Sequence, residues 1–122
     1  MGTLRDILLV ALGGALGSMA RYALSLMATL CAISGLWATL AANSLGSLLI
    51  GISFVLLKGD AYLLAAVGFC GGFTTFSTFS LQSVELFQSG QKGLALLYIA
   101  GSLLLSIACV VAGMYCANRC IK

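Results

Sequence analysis

Three sets of residues recur at helical spacing in a chain that is otherwise strongly apolar. Thr39, Asn43 and Ser47 stand four apart, as do Tyr98, Ser102 and Ser106, so each set shares one face of a helix. A third set, Phe76, Phe79 and Ser83, follows i, i+3, i+7, with Thr75 and Thr78 adjoining it. Hydroxyls, an amide and aromatic rings are donors and dipoles; they are not acids, bases or activated nucleophiles. The chain has no histidine, and of its three carboxylates only Glu85 falls where a membrane could enclose it, since Asp6 and Asp60 lie at predicted membrane edges. No carboxylate pair and no Gly-rich phosphate loop is present, so the chain does not read as an enzyme. Such a set suits the coordination and passage of a solute. A ring is electropositive at its edge and negative on its face, so the edges of Phe76 and Phe79 can meet a small anion, while their faces repel an anion and attract a cation. One Ser or Thr in a membrane helix is more often bonded to its own backbone, and one Phe is more often packing. Two complete stripes with an embedded Asn form a polar track.

The elements that carry the track are membrane helices. The sequence is 61% hydrophobic and 7% charged, against roughly 25% charged residues in an ordinary soluble domain. Arg21 is the only Asp, Glu, Lys or Arg between Ile7 and Leu57. A span takes about 20 apolar residues. The pattern predicts four spans in one domain over residues 1–122, at residues 4–30, 37–57, 62–88 and 93–118. The first is read as a retained helix, because only Arg5 and Asp6 precede a long apolar stretch with no cleavage pattern. Ile33-Ser34-Gly35, Lys58-Gly59-Asp60 and Ser89-Gly90-Gln91-Lys92 supply turns, and connections this short make sequence neighbours antiparallel.

The third span contains the densest anomaly, Gly-Phe-Cys-Gly-Gly-Phe-Thr-Thr-Phe-Ser-Thr-Phe-Ser over residues 68–80. Unpaired backbone in hydrocarbon costs several kcal/mol per group unless protein or a wet cavity satisfies it. The run therefore predicts a broken helix with a function. Arg21 is the other expensive residue: a charge in a span snorkels to the interface or finds a partner, and near a pathway mouth it would concentrate anions. Gly13 and Gly17 have small-x-x-x-small spacing, which serves close packing either within a subunit or between two. Four basic residues (Arg5, Lys58, Arg119, Lys122) fall on one side and two (Lys92, Arg21) on the other, a bias small enough to permit insertion either way. A net charge of +3, scattered, gives no nucleic-acid surface, and the five cysteines make no C-x-x-C pair and read as small apolar fillers.

Gly13-Gly14-Ala15-Leu16-Gly17 through Arg21-Tyr22, then Thr39-Leu40-Ala41-Ala42-Asn43 with Gly46, then the whole run at 68–80, resemble the Fluc (CrcB) fluoride channels. The likeness spans nearly the entire chain in order, and its third motif is the specific one. The resemblance implies an all-α membrane protein with four transmembrane helices per subunit, the third broken, assembled as an antiparallel dual-topology homodimer in a microbial inner membrane. It implies two pathways that release cytoplasmic fluoride passively. By motif, Phe76 and Phe79 would be pore rings supplied by both subunits, and Asn43 would donate a hydrogen bond near them. Ser77, Thr78, Tyr98, Ser102 and Ser106 would match the polar track, with Thr39 beside it and Arg21 at a vestibule. Backbone carbonyls of Gly71 and Thr74 from both copies would hold a structural sodium ion at the dimer centre. Unwound carbonyls in a membrane are natural ligands for a hard cation. The family often has Val before the Asn and Leu where Phe73 stands; here Ala42 and Phe73 occur, and no pathway polar group is lost. Glu85 is expected near a vestibule.

From another class, a small proton-coupled multidrug exporter has this size, but needs an embedded carboxylate, classically in the first helix, where this chain carries Arg21. A non-transporting assembly subunit, its stripes serving as glue between helices, is the other alternative.

Overall fold

A computed structural model describes residues 2–122. It has four helices long and apolar enough to cross a membrane, and no strand occurs among the described residues. Helix α1 is Thr3–Leu30 and α2 is Gly35–Leu56. The third crossing, Gly59–Gln88, is composite. It begins as α3 (Gly59–Tyr62), continues as a π-helix over Leu63–Cys70, and returns to α-helix as α4 (Gly71–Phe73). It then breaks at Thr74 and Thr75, and resumes as α5 (Phe76–Gln88). Helix α6 is Lys92–Cys120. The third crossing starts at Gly59 rather than at residue 62, because Lys58 is extended and Gly59 can take its positive φ of 59°. Ser34 caps α2 by accepting the Leu36 N–H at 3.2 Å. Gly90, at φ 82°, turns the chain into α6.

Sequence neighbours alternate in direction as expected, yet the closest packing joins helices that run the same way. Helix α1 lies mainly along the π-helix and α4, while α2 lies mainly along α6. Glycine notches explain both pairings. A Cβ on Gly13 would strike the Leu64 carbonyl and stand 2.9 Å from the Phe69 nitrogen. A Cβ on Gly17 would strike the Phe69 carbonyl and stand 2.8 Å from the Phe73 nitrogen. The Gly13/Gly17 motif therefore packs within the subunit, which decides between the two uses its spacing allowed. At the second seam the notches are reciprocal: Gly51 admits the Val110 carbonyl, and Gly113 admits that of Leu48.

Little of the molecule is core in the water-soluble sense. A small cluster of Phe79, Leu86, Ala95 and Tyr98, with Leu36 and Ile99 against it, joins α2, α5 and α6. Large apolar side chains such as Leu104, Leu97 and Leu4 point outward, the arrangement of a protein whose solvent is lipid. Arg5 and Asp60 form an ion pair that ties the start of α1 to the start of α3, at the same end of the bundle.

Candidate ion pathway at the helix break

The break is built by side chains that replace the lost helical ladder. Thr74 (φ −86°, ψ 160°) and Thr75 (φ −149°, ψ 117°) are extended. The Thr74 N–H and hydroxyl both donate to the Cys70 carbonyl, at 3.0 and 2.9 Å. Gly46 leaves room for the Thr74 methyl. Thr75 caps α5 through its hydroxyl, which accepts the Thr78 N–H at 3.2 Å. Asn43 grips the Thr75 peptide from both sides: its Oδ1 accepts the Thr75 N–H at 2.7 Å, and its Nδ2 donates to the Thr75 carbonyl at 3.1 Å. One Nδ2 hydrogen remains uncommitted, since a carboxamide has two. Arg21 donates from Nε to the Gly72 carbonyl at 3.1 Å, so the intramembrane charge has found a backbone partner. Among the described residues no hydrogen bond reaches the carbonyls of Gly71 or Thr74.

Beside the break lies a cleft of about 310 Å³ lined by Asn43, Ser47, Cys70, Gly71, Thr74, Thr75, Phe76, Phe79, Ser102 and Ser106, among others. It brings together both phenylalanines, the asparagine, two of the three α6 stripe residues and both sodium-site residues expected from the resemblance. Phe76 and Phe79 are 5.5 Å apart at 53°, and Phe79 and Tyr98 are 5.3 Å apart at 49°. These tilted rings form a ladder from the break toward the α5–α6 turn. Phe79 is buried within the subunit, whereas Phe76 is 72% exposed.

The stripes are not uniform. Ser80 and Ser83 donate to the carbonyls of Phe76 and Phe79, at 2.9 and 2.8 Å, as lone membrane serines commonly do. Ser102 does not. It is 5% exposed, lines the cleft, and its Oγ has no partner. Thr39 is buried next to the Tyr98 hydroxyl and off the cleft wall. Ser77 is exposed, with its hydroxyl 3.5 Å from that of Thr75, and Thr78 is half-buried. Arg21 does not line the cleft; it braces the break from the α1 side. Glu85 is exposed on α5, away from the cleft wall.

One residue at the site escaped the sequence reading. Gln82 accepts the Tyr98 hydroxyl proton at 2.6 Å, and its Nε2 lies 3.5 Å from where a Cβ on Gly35 would stand. The available signal was an uncharged amide three positions after Phe79, on the same helical face.

The chain also matches a family model, described as "CrcB-like protein, Camphor Resistance (CrcB)", over residues 8–114. It belongs to the CrcB family. Among CrcB-related proteins, a fluoride-specific ion channel FluC of Thermus thermophilus is 50% identical over 106 residues, 82% of this chain and 85% of that protein. The protein of the same name from Chlorobaculum tepidum is 42% identical over 121 residues, 94% of this chain and 96% of its own. That from Agrobacterium fabrum is 44% identical over 116 residues, 89% and 93% of the two chains. The CrcB match covers every element that builds the break, from the Gly13 notch to Ser106.

Proposed function

We propose that this chain is the subunit of a passive, fluoride-selective channel whose ion path runs along the cleft beside the helix break. The observation that carries the reading is Ser102, whose hydroxyl is buried and unpartnered and which lines the same cleft as Asn43 and the Phe76–Phe79 ring pair. Family membership and the names of the relatives point to the same ion. Fluoride is small and strongly hydrated, so a narrow path must replace its water with closely spaced donors. The free Asn43 Nδ2 hydrogen, the Ser102 and Ser106 hydroxyls and the ring edges are such donors, while Thr39, Ser77, Thr78 and Tyr98 extend the polar route. Chloride, larger and less demanding, gains less from the same groups. No carboxylate lines the cleft, which leaves a proton-coupled export cycle without its exchanging group.

We further infer an antiparallel, dual-topology homodimer in a microbial inner membrane. An exposed Phe76 and a Gly71 with nothing within 4 Å of its would-be Cβ leave the break open on one side, as a face awaiting a second copy would be. The uncommitted carbonyls of Gly71 and Thr74 are hard oxygen donors of the kind sodium takes. Bound there, the ion would balance the exposed carbonyl dipoles where two copies meet. Arg21, held on the neighbouring Gly72 carbonyl, would add positive potential at the vestibule.

Fluoride-electrode recordings of efflux from reconstituted liposomes test the proposal. Fluoride flux independent of a proton gradient, with chloride excluded, is the expected result. Silence would point to an assembly subunit, and proton-driven exchange of cationic drugs to an exporter.

A further inference from the structure

The five cysteines do not share one role. Cys70 is buried and Cys109 half-buried, as small apolar fillers would be, whereas Cys31, Cys116 and Cys120 are exposed. Cys116 and Cys120 stand four apart on α6, a spacing that puts two side chains on one helical face with Cβ atoms about 5–6 Å apart. A disulfide requires Cβ atoms about 3.5–4.5 Å apart, so the pair does not close on itself while the helix is intact. The same separation suits a bridging ion. Thiolate–metal bonds run to about 2.3 Å, which sets sulfurs on opposite sides of one ion about 4.6 Å apart. The pair also lies where the helix meets water. Helix α6 has 29 residues, about 43 Å of length, against a hydrocarbon core of about 30 Å. Centred in the bilayer, it extends about four residues beyond the core at each end, which carries Cys120 among the headgroups and leaves Cys116 at their edge.

We propose that Cys116 and Cys120 form a two-thiolate site for a soft, singly charged metal ion of the Cu(I) type, on the exposed face of α6 where the helix leaves the membrane. The donor set selects the metal. Thiolates favour soft ions. Among the described residues no group of three His, Cys, Asp or Glu side chains could hold a metal, so zinc, which takes three or four protein ligands, lacks its set. Cu(I) completes its shell with two sulfurs in line. Charge agrees with this choice: two thiolates on a singly charged ion leave one net negative charge, opposite in sign to the neighbouring Arg119 and Lys122. Arg119 is drawn to the adjoining face of the helix. Its Nε and Nη2 donate to the Tyr115 hydroxyl at 3.1 and 2.6 Å, and the guanidinium lies 5.2 Å from the centre of that ring. The site stands apart from the cleft, whose last α6 residue is Ser106, about 15 Å along the helix axis from Cys116. It therefore does not depend on which ion the cleft carries.

The test is a Cu(I) titration of the reduced protein in detergent under argon, with bicinchoninate as the coloured competitor. Wild type, Cys31→Ser and Cys109→Ser should each retain one Cu(I) per subunit. Cys116→Ser and Cys120→Ser should each weaken retention by at least about tenfold, the loss that even an outer partner of a metal ligand brings. Both side chains are exposed, so helix content by circular dichroism should not change. The double substitution C120I with I121C keeps two thiols but sets them on different faces of the helix, and it should lose the ion as well. Retention at wild-type strength by either of these serine variants, or by the double substitution, overturns the site. So does loss of the ion from Cys31→Ser or Cys109→Ser. One ion for every two subunits would also overturn it, because the thiols of two copies would then share the metal.

Discussion

Replacing Asn43 by alanine strips the Thr75 peptide of both partners at once, the 2.7 Å bond to its N–H and the 3.1 Å bond to its carbonyl. Leaving a buried polar group unsatisfied costs about 1–3 kcal/mol, so two such groups give a loss of about 2–6 kcal/mol. Asn43→Leu, nearly the same shape, removes the bonds without opening a cavity; a similar loss from both substitutions would assign the effect to the bonds. The assay is reversible unfolding in mixed micelles at one fixed protein concentration, followed by the fluorescence of Trp37, the only tryptophan. Fluoride efflux is measured on the same preparations. Both substitutions should destabilise the protein, because the amide holds the break, and should abolish flux if, as proposed, the same amide also faces the ion. If flux vanished while stability changed by less than about 0.5 kcal/mol, within the range of neutral surface changes, the clamp would be refuted and Asn43 would be an ion ligand alone.

Other perturbations separate the remaining parts. Ser102→Ala removes a buried hydroxyl that has no partner, so stability should hold or rise by up to about 1 kcal/mol while flux falls; a clear loss of stability would mean the hydroxyl is bonded. Phe79→Ile should cost about 1–3 kcal/mol because the ring is packed between Phe76 and Tyr98. Phe76→Ile should cost the isolated subunit almost nothing, since that ring is exposed, yet both should greatly reduce flux in liposomes; wild-type flux from both would remove the rings from the path. Gly17→Ala drives a methyl into the Phe69 carbonyl and should lower stability by more than about 1 kcal/mol, read by melting in detergent. Gly71→Leu meets only open space within the chain, so it should leave helix content intact and abolish dimers on cross-linking; intact dimers would place the partner elsewhere.

Much of this architecture was legible because membrane helices announce themselves by length and apolarity, and their turns by Gly, Ser and Lys. The break was legible too, since Gly-Gly-Phe-Thr-Thr cannot sit in hydrocarbon without a purpose. Other features depend on partners that no local pattern encodes. The π-helical stretch from Leu63 reads as ordinary apolar sequence; what distinguishes it is that its Leu64 and Phe69 carbonyls lie in the notches at Gly13 and Gly17. Short loops dictate the direction of each helix but not its closest companion, which the notches chose. Asn43 was recognisable as a polar residue on the track, whereas its grip on a peptide 32 residues away was not. Arg21 showed itself as a charge needing a partner without revealing the Gly72 carbonyl. Gln82 was overlooked because a single amide has no period.

The parallel pairing of α1 with the π-helix and of α2 with α6 has a bearing on biosynthesis. A helical hairpin can zip together as soon as its second arm leaves the ribosome, but parallel partners separated by a whole crossing cannot. When α1 and α2 have entered the bilayer, the notches at Gly13, Gly17 and Gly51 still face lipid, and each waits for a later segment to fill it. Contacts between residues distant in sequence form late because loop closure comes first. The first seam of this subunit therefore closes only once the third crossing has entered, and the second only with α6, whose Gly113 completes it. A nascent chain stalled before α6 would have its first seam closed and its second open, with the Gly51 notch of α2 unfilled.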